Sequence, residues 1–231
     1  MALPAFVRRW MNRKGFTPSR GRQTATRPAR RRPRPHLEAL EDRCLPSVLT
    51  VTSLADSGPG SLRDAIAQAG NLDTITFDPS LRGGTITLTS GELLLNKNLS
   101  IEGPGADSLT VSGGSASRVF EVQQGWSVSL SGLTIADGRV TGAAGFGGAV
   151  LNAGTLRVSG ITFEGNTAAA AGGAVRNNGS LTVLDSSFAD NSAFDAGAIL
   201  NGGSLTLQGT TFERNTAAQT GSGAPSSTAA S

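Results

Sequence analysis

Residues 148–217 read GAVLNAGTLRVSGITFEGNTAAAAG, then GAVRNNGSLTVLDSSFADNSAFDA, then GAILNGGSLTLQGTTFERNTA, which is one pattern written three times. The copies begin at Gly148, Gly173 and Gly197, at intervals of 25 and 24 residues. A fixed period of about 20–50 residues is typical of proteins built from stacked structural repeats. The positions that recur in every copy are an Asn (Asn152, Asn177, Asn201), a Phe (Phe163, Phe188, Phe212) and a second Asn (Asn166, Asn191, Asn215).

Each copy has the alternation of β-strands rather than the spacing of a helix. In the first copy, the apolar Leu156 and Val158 alternate with the more polar Thr155, Arg157 and Ser159, so the apolar side chains share one face of a strand. Gly and Asn residues separate these runs and supply the conformations that tight turns need. Two or three short strands per copy, without a helix, predict one coil of a parallel β-helix.

Stacking of the coils would align like residues of successive copies. We expect the Phe rings to stack inside the coil and the Asn side chains to form amide ladders at its corners, because successive coils lie one strand spacing apart, about 4.8 Å. One coil cannot bury its own apolar face, so the copies are stable only as a stack. A leucine-rich repeat, with a period of about 20–29 residues, is the alternative fold, although its regular leucine frame is absent.

The charge of the chain changes sign near residue 47. Residues 1–46 contain 12 Arg and Lys against 3 acidic residues, whereas residues 47–231 contain 8 against 14. We therefore predict a basic, Pro- and Arg-rich disordered tail at 1–47, a β-helix of about seven coils at 48–217, and a disordered Ser/Ala/Gly-rich tail at 218–231. Because no polar capping repeat follows the last copy, we expect either a fragment of a longer surface protein or end-to-end self-association.

The basic tail is compatible with nucleic-acid binding through its charge, but no aromatic residues or binding fold accompany it. Arg8-Arg9 is similar to the start of a twin-arginine signal, yet no apolar segment follows, and no ordinary secretory signal precedes Arg34. The only Cys and the only His, Cys44 and His36, both lie in this tail. An intrachain disulfide is therefore excluded, and Cys44 is interpreted as incidental.

A leucine-containing acidic segment ends the basic tail. Residues 37–47 read LEALEDRCLPS and resemble an LExLEDR-like segment at the N-terminus of many large bacterial surface and exported proteins. This resemblance implies export by an unusual route. The alternative is a single amphipathic helical turn in which Leu37, Leu40 and Leu45 share a face.

One isolated helix is predicted at residues 61–69, ahead of the repeats. Ser61 is a suitable N-cap, Asp64 stands in the capping-box position and Gly70 suits the C′ position. The apolar stripe of this helix consists of Leu62, Ala65, Ile66 and Ala69. Such a helix would cover the open apolar end of the coil and shield its edge strands.

The region around this helix resembles a known N-terminal segment. Residues 60–66 (GSLRDAI) and 73–78 (DTITFD) are similar to the CSLREA segment of bacterial right-handed β-helix proteins, and the similarity continues through 85–88 and 100–105. This chain has Gly60 where that segment has its Cys, so no thiol or disulfide role is carried over.

The three copies resemble the repeats of polymorphic outer membrane proteins, which carry Gly-Gly-Ala-Ile and Phe-x-x-Asn motifs. Together, the two resemblances cover roughly residues 48–217. They imply a right-handed, single-stranded parallel β-helix of the pectin lyase-like fold, in a secreted or outer-membrane-associated protein.

β-Helix enzymes that cleave acidic polysaccharides carry carboxylates and basic residues on one outer face. In the copies, Asp190 lies over Arg214 of the next coil, and Glu164 and Glu213 flank Ala189, which is interpreted as a surface charge ladder. No carboxylate pair of the glycosidase kind and no run of alternating acidic Ca²⁺ ligands is indicated. We therefore assign no catalytic, cofactor-binding or metal-binding residue.

These observations predict a non-catalytic secreted or cell-surface β-helix module that serves as a structural or adhesive display scaffold. Its expected partner is envelope polysaccharide or another surface protein, and no transmembrane segment is indicated. The first alternative is a polysaccharide lyase or hydrolase of the pectate-lyase type. The second is nucleic-acid binding through the basic tail.

Overall fold

The structure, a computed structural model, describes residues 45–143, 145–218 and 229–230. Within these residues the chain forms one α-helix, α1 (Leu62–Gln68), a 3-10 turn at Pro79–Leu81 and 23 strands, numbered in chain order. The strands form four sheets, named A to D, that run along a coil. In the described residues, every strand pairing is parallel except one at the C-terminal end.

Sheet A takes one strand from each coil: β1 (Val48–Val51), β2 (Asp73–Phe77), β5 (Leu99–Glu102), β8 (Ser127–Ser131), β12 (Thr155–Ser159), β16 (Ser180–Leu184) and β20 (Ser204–Gln208). Sheet B contains β3 (Gly84–Thr87), β6 (Leu109–Ser112), β9 (Thr134–Ala136), β13 (Thr162–Glu164), β17 (Ser187–Ala189) and β21 (Thr211–Glu213). Sheet C contains β4 (Leu93–Leu95), β7 (Phe120–Val122), β11 (Val150–Asn152), β15 (Val175–Asn177), β19 (Ile199–Asn201) and β23 (Ala229–Ala230). Sheet D contains β10 (Arg139–Val140), β14 (Thr167–Ala171), β18 (Ser192–Asp195) and β22 (Thr216–Ala217).

Equivalent residues of successive coils lie side by side. In sheet A, Leu156 pairs with Leu181, and Leu181 pairs with Leu205. The alignment continues into the irregular N-terminal half, where Ile101 pairs with Leu130. The parallel β-helix of about seven coils is thus confirmed. The leucine-rich repeat is wrong, because the described residues of the three copies contain no helix and form a sheet on every side of the coil.

The coil has four sheets, so the expectation of two or three strands per copy was too low. The strands of sheet D do not show the expected alternation in the sequence, because β14 is nearly all Ala and the large apolar residue of β18, Phe194, faces outward. The alternation is nevertheless present, since Ala168 and Ala193 pair and are buried while Ala169 and Phe194 are exposed.

The Phe rings of the three copies form one stack inside the coil, as predicted. The ring centroids of Phe163 and Phe188 are 4.5 Å apart, and those of Phe188 and Phe212 are 5.0 Å apart, with interplanar angles of 13° and 11°. Such offset stacking is favourable beyond the burial of the rings themselves. In the earlier coils the same column is occupied by Ile135, Val111 and Ile86.

Both predicted Asn ladders are present. Asn152 donates its side-chain N–H to Asn177 Oδ1, and Asn177 donates to Asn201 Oδ1, each at 2.7 Å. These amides also bind backbone at the corner, where Asn152 Oδ1 accepts from the N–H of Gly154 at 3.1 Å. The second ladder links Asn166, Asn191 and Asn215, with side-chain bonds of 2.9 Å. The ladders satisfy corner groups that would otherwise be buried without partners.

One corner of each repeat coil uses a residue with left-handed backbone. Gly165, Asp190 and Arg214 occupy this position in the three copies, with φ of 63°, 55° and 52°. Gly adopts this conformation without steric cost, and Asp tolerates it better than most residues. The corner geometry therefore explains why Gly165 and Asp190 stand at aligned positions.

Helix α1 covers the N-terminal end of the interior. Ser61 Oγ accepts a hydrogen bond from the N–H of Asp64 at 3.1 Å, as predicted for an N-cap. Asp64 Oδ2 accepts from the N–H of Gly60 at 3.2 Å, one residue before the N-cap, so the predicted capping box forms only in part. The whole predicted stripe is buried, with no member more than 6% exposed: Leu62, Ala65, Ile66 and Ala69.

The predicted left-handed C′ role of Gly70 is wrong. The φ of Gly70 is not positive, and its N–H instead binds Asp73 Oδ2 at 2.7 Å. The end of the helix is capped by Lys97 of the next coil, whose Nζ donates to the carbonyls of Ile66 at 3.0 Å and Ala69 at 2.7 Å. A cation at this end also interacts favourably with the helix dipole.

Gly60 is required by the turn that precedes the helix. Its φ is +78°, and a Cβ at this position would lie 2.3 Å from Thr52 Oγ1. The Cys of the CSLREA segment would therefore not fit at this position without a local rearrangement.

The two ends of the chain fall largely outside the described residues. Most of the tails predicted at 1–47 and 218–231, and residues 37–44 of the LEALEDRCLPS segment, cannot be compared with the structure. At the C-terminal end, β23 pairs antiparallel with β19. In the described residues, no helix has both the length and the apolar character that are needed to cross a membrane.

Candidate functional site

The outer face of sheet A is lined by hydroxyl groups in rows that run along the coil. The alternation that buries Leu and Val in each strand turns Ser and Thr outward. Strands in a sheet are about 4.8 Å apart, so the rows are regularly spaced. We call this surface the hydroxyl face; one row is Ser127, Thr155, Ser180 and Ser204, and the adjacent row is Ser100, Ser129, Arg157, Thr182 and Thr206.

A groove of about 420 Å³ lies in the hydroxyl face across β5, β8 and β12. It is lined by Leu72, Asn98, Leu99, Ser100, Ser127, Val128, Ser129, Thr155 and Arg157. Its polar groups are Ser and Thr hydroxyls, the Asn98 amide and Arg157, while most of its exposed lining is apolar; hydroxyls and amides can both donate and accept hydrogen bonds.

One wall of the groove is a turn held in an uncommon conformation. Leu72 has φ of +72° and is 60% exposed. Its N–H donates to the carbonyl of Asn98 at 2.7 Å, while Asn98 Oδ1 accepts from the N–H of Ser127 at 2.9 Å. A left-handed backbone costs a leucine about 1–2 kcal/mol. Asn98 therefore fixes the turn that keeps an apolar side chain at the groove.

Arg157 is the charged residue of the groove. It is exposed, and no acidic side chain of the described residues lies within ion-pair distance of it. A guanidinium binds carboxylate or sulfate groups through two parallel N–H bonds. The groove thus combines hydroxyls, one cation and one exposed apolar side chain, which suits a hydroxylated chain that carries acidic groups.

Asp190, Glu164 and Glu213, the acidic residues that the sequence suggested, lie at aligned positions of successive coils, as the repeat predicts. Arg214 binds both oxygens of Asp190, with Nε–Oδ1 of 2.7 Å and Nη2–Oδ2 of 2.8 Å. This hydrogen bonding lowers the pKa of Asp190 and raises that of Arg214. Glu164 and Glu213 flank Ala189 in sheet B. Asp190 and Arg214 are exposed corner residues, so the pair is a surface ion pair of the kind predicted.

A second charged cluster was missed from the sequence. Arg118, whose side chain is 11% exposed, binds Glu92 and lies 3.7 Å from Glu121. Its Nε and Nη2 also donate to the carbonyls of Gly147 at 2.9 Å and Phe146 at 3.1 Å. Burial and a hydrogen bond with Glu92 raise the pKa of Glu121. The cluster holds the end of the Gly-rich insertion before the first copy, and its residues come from irregular coils without a repeat signal.

Asp56 and Arg63 fasten the cap to the coil. Arg63 Nη2 lies 2.7 Å from Asp56 Oδ1 and donates to the carbonyl of Gly91 at 2.6 Å. Burial acts to raise the pKa of Asp56, but hydrogen bonds from Ser90, Arg63 and Thr89 outweigh it and lower the pKa to about 2. The Arg of the SLRDA segment therefore has a structural role in this chain.

Asp56→Asn is expected to lower the free energy of unfolding by about 1–3 kcal/mol at pH 7, because Arg63 loses its charged partner. The folded-state pKa is depressed, so the stabilisation is fully present above the ordinary value of 3.8 and is lost as the pH falls toward about 2. Urea unfolding of both proteins should show a difference that is constant from pH 7 to about pH 5 and shrinks below about pH 4. The exposed Asp107→Asn is the control; a difference that grew at low pH would contradict this account.

Other predicted features concern metals and the basic tail. Within the described ranges, no three His, Cys, Asp or Glu side chains lie close enough to hold a metal ion. His36, Cys44 and the Arg-rich tail lie outside those ranges. Nucleic-acid binding through the tail therefore stays a prediction.

The family resemblances of this chain rest on its short motifs. No protein-family model matches the chain, and no curated protein matches its sequence. The fold is established by the strand pairings, whereas the CSLREA-like and polymorphic-outer-membrane-protein-like relationships remain resemblances.

Proposed function

We propose that this chain is a non-catalytic β-helix module of a secreted or cell-surface protein, and that it is a structural scaffold that binds envelope polysaccharide through the hydroxyl face. The observation that supports this function is the groove that crosses β5, β8 and β12, with Arg157 among rows of Ser and Thr. Sugar hydroxyls pair with the Ser and Thr side chains, an acidic sugar group pairs with Arg157, and Leu72 packs on the apolar face of a ring.

The fold favours binding of a long chain rather than a small molecule. Each neutral hydrogen bond contributes only about 0.5–1.5 kcal/mol, so affinity must come from many contacts repeated along the coil. Strands β5, β8 and β12, which form the groove, are each paired on both sides, so little ordering is needed when a polymer binds. An extended polysaccharide can use several coils at once, which raises its effective affinity.

Besides Asp190 and Glu164, the carboxylates that the lyase or hydrolase alternative could use include Glu92 and Glu121, which lie close to each other. Arg118 lies between them and also binds two carbonyls of the Gly-rich insertion. These contacts favour a structural role for the cluster, so we retain the non-catalytic function.

Arg157→Ala is expected to weaken binding to an acidic polysaccharide about tenfold or more, because a charge-assisted hydrogen bond contributes about 1.5–3 kcal/mol. The measurement is the fraction of the 231-residue chain that is retained on immobilised polygalacturonate or alginate, with cellulose as the neutral polymer. Arg139→Ala is the matched control, since Arg139 is also exposed but lies in sheet D.

Three outcomes would contradict the proposed function. Equal losses in the two Arg variants would remove the groove as the binding site. New reducing ends in the same incubations would show catalysis. Recovery of the natural protein only from the soluble cytoplasmic fraction would contradict surface localisation.

A further inference from the structure

The hydroxyl face carries two charged side chains of opposite sign. Arg157 points outward from β12, and Glu102 is the exposed last residue of β5. The remaining outward positions in the strands of sheet A, all of which the structure describes, are uncharged, and most of them are Ser or Thr. A ligand on this face therefore meets one fixed cation and one fixed anion.

Glu102 lies beside the groove, in a third row of outward residues. It pairs with Ser131, and Ser131 pairs with Ser159, which lies two residues after Arg157 in β12. Glu102 is thus two coils and one row away from Arg157, about 12 Å between Cα atoms at the spacings of a β-sheet. This separation exceeds the Debye length of about 8–10 Å in ordinary buffers, so each charge acts on the ligand group beside it.

The charge of Glu102 is available to a ligand. Among the described side chains, no Arg, Lys or His lies within ion-pair distance of its carboxylate. The folded part of the chain is also acidic as a whole, with 14 acidic and 8 basic residues in 47–231. This balance adds to the negative potential around Glu102 instead of cancelling it.

A polymer that follows the groove passes from coil to coil, because the groove crosses β5, β8 and β12. A pyranose ring with its linkage is about as long as one strand spacing, so successive sugars lie over successive coils. A polymer with a carboxylate on every sugar would place one carboxylate at Arg157 and another near Glu102. Repulsion at Glu102 would then offset the attraction at Arg157. A polymer in which neutral sugars separate the carboxylates avoids this repulsion.

We propose that the ligand of the hydroxyl face is an acidic heteropolysaccharide in which several neutral sugars separate the charged ones, and that Glu102 discriminates against polymers with a carboxylate on every sugar. The inference rests on the proposed function and names the class of polymer. Arg157 binds the acidic sugar, the Ser and Thr rows bind the neutral ones, and Glu102 supplies the repulsive element on which selectivity between similar ligands depends.

Calorimetric titration of the 231-residue chain with two oligosaccharides of equal length tests the proposal. Oligogalacturonate carries a carboxylate on every sugar, whereas in a deacylated gellan fragment several neutral sugars separate the uronates. We expect the gellan fragment to bind about fivefold more tightly, the effect of one like-charge contact near a protein surface. Glu102→Gln should raise the affinity for oligogalacturonate by about the same factor and leave the affinity for the gellan fragment unchanged.

Glu164→Gln is the matched control, because it makes the same change of charge at an exposed strand end in sheet B. It should change neither affinity, and the preference for the gellan fragment should disappear at about 1 M salt, where the Debye length is about 3 Å. Equal affinities of the unmodified chain for the two fragments, or equal effects of the two Gln substitutions, would overturn the role of Glu102 while leaving binding at the hydroxyl face intact. Absence of binding to both fragments would overturn the proposed function and this inference with it.

Discussion

Phe188→Ala is expected to lower the free energy of unfolding by about 3–5 kcal/mol, the range for removal of a buried aromatic ring. Phe188 is fully buried and lies between two other rings, at centroid distances of 4.5 and 5.0 Å. Its removal leaves a cavity that neighbouring coils cannot close, because their backbones are held at strand spacing on both sides. Equilibrium denaturation with urea measures the loss.

Phe212→Ala is the matched control for this prediction. Phe212 has the same place in the repeat but is only partly buried and stacks on one ring, so its replacement should cost clearly less. Equal losses for the two variants, or a loss below about 1 kcal/mol for Phe188→Ala, would contradict the position of Phe188 in the core.

Asn191→Ala has the second largest expected effect, a loss of about 2–4 kcal/mol of unfolding free energy. The Oδ1 atom of Asn191 accepts from the backbone and side chain of Asn166 at 3.0 and 2.9 Å, and its Nδ2 donates to the carbonyl of Phe163 at 2.9 Å. Asn191 is fully buried, so its partners would be left without hydrogen bonds away from water, which costs about 1–3 kcal/mol per group. Thermal and urea unfolding measure the loss.

Asn215→Ala separates the ladder from the general effect of removing an amide. Asn215 makes the same bond to the carbonyl of Phe188, at 2.8 Å, but is partly exposed at the end of the coil, where water can replace its contacts. We expect a loss of less than half that of Asn191→Ala. A change at Asn191 that costs no more than the change at Asn215 would show that the ladder does not stabilise the interior.

The residues that repeat were sufficient to predict the core of the fold. In a parallel stack, each side chain contacts its own equivalents in the neighbouring coils, so periodicity in the sequence becomes contact in space. Phe163, Phe188 and Phe212 therefore stack, and the capping helix could be predicted because Ser61 and Asp64 give a local signal.

Structural features that have no recurring pattern in the sequence could not be predicted from the repeat. Sheet D was missed because β14 is nearly all Ala, and because in β18 the small Ala193 is buried while the larger Phe194 faces outward, so neither strand shows the expected alternation. The C-terminal cap of α1 was assigned to Gly70, whereas the residue that binds those carbonyls, Lys97, comes from the next coil. A contact between residues so far apart has no signature in a single sequence.

The candidate site could be predicted only in part. The outward direction of Arg157 followed from strand alternation, and the structure confirms it. The groove also needs Leu72 and Asn98, which belong to earlier coils of irregular length, and the left-handed backbone of a leucine has no sequence signal. The cluster of Arg118 with Glu92 and Glu121 likewise could not be predicted, because its residues become neighbours only through the pairing of successive coils.

The central claim is that successive coils lie in register, and nuclear Overhauser effects between ring protons of selectively labelled Phe test it most directly. The protein should show contacts from the Phe188 ring to the rings of both Phe163 and Phe212, consistent with centroid distances of 4.5 and 5.0 Å. Assignment by single Phe→Leu substitutions is practical because the chain has only 9 Phe. Absence of both contacts in the folded protein would contradict the stacked β-helix.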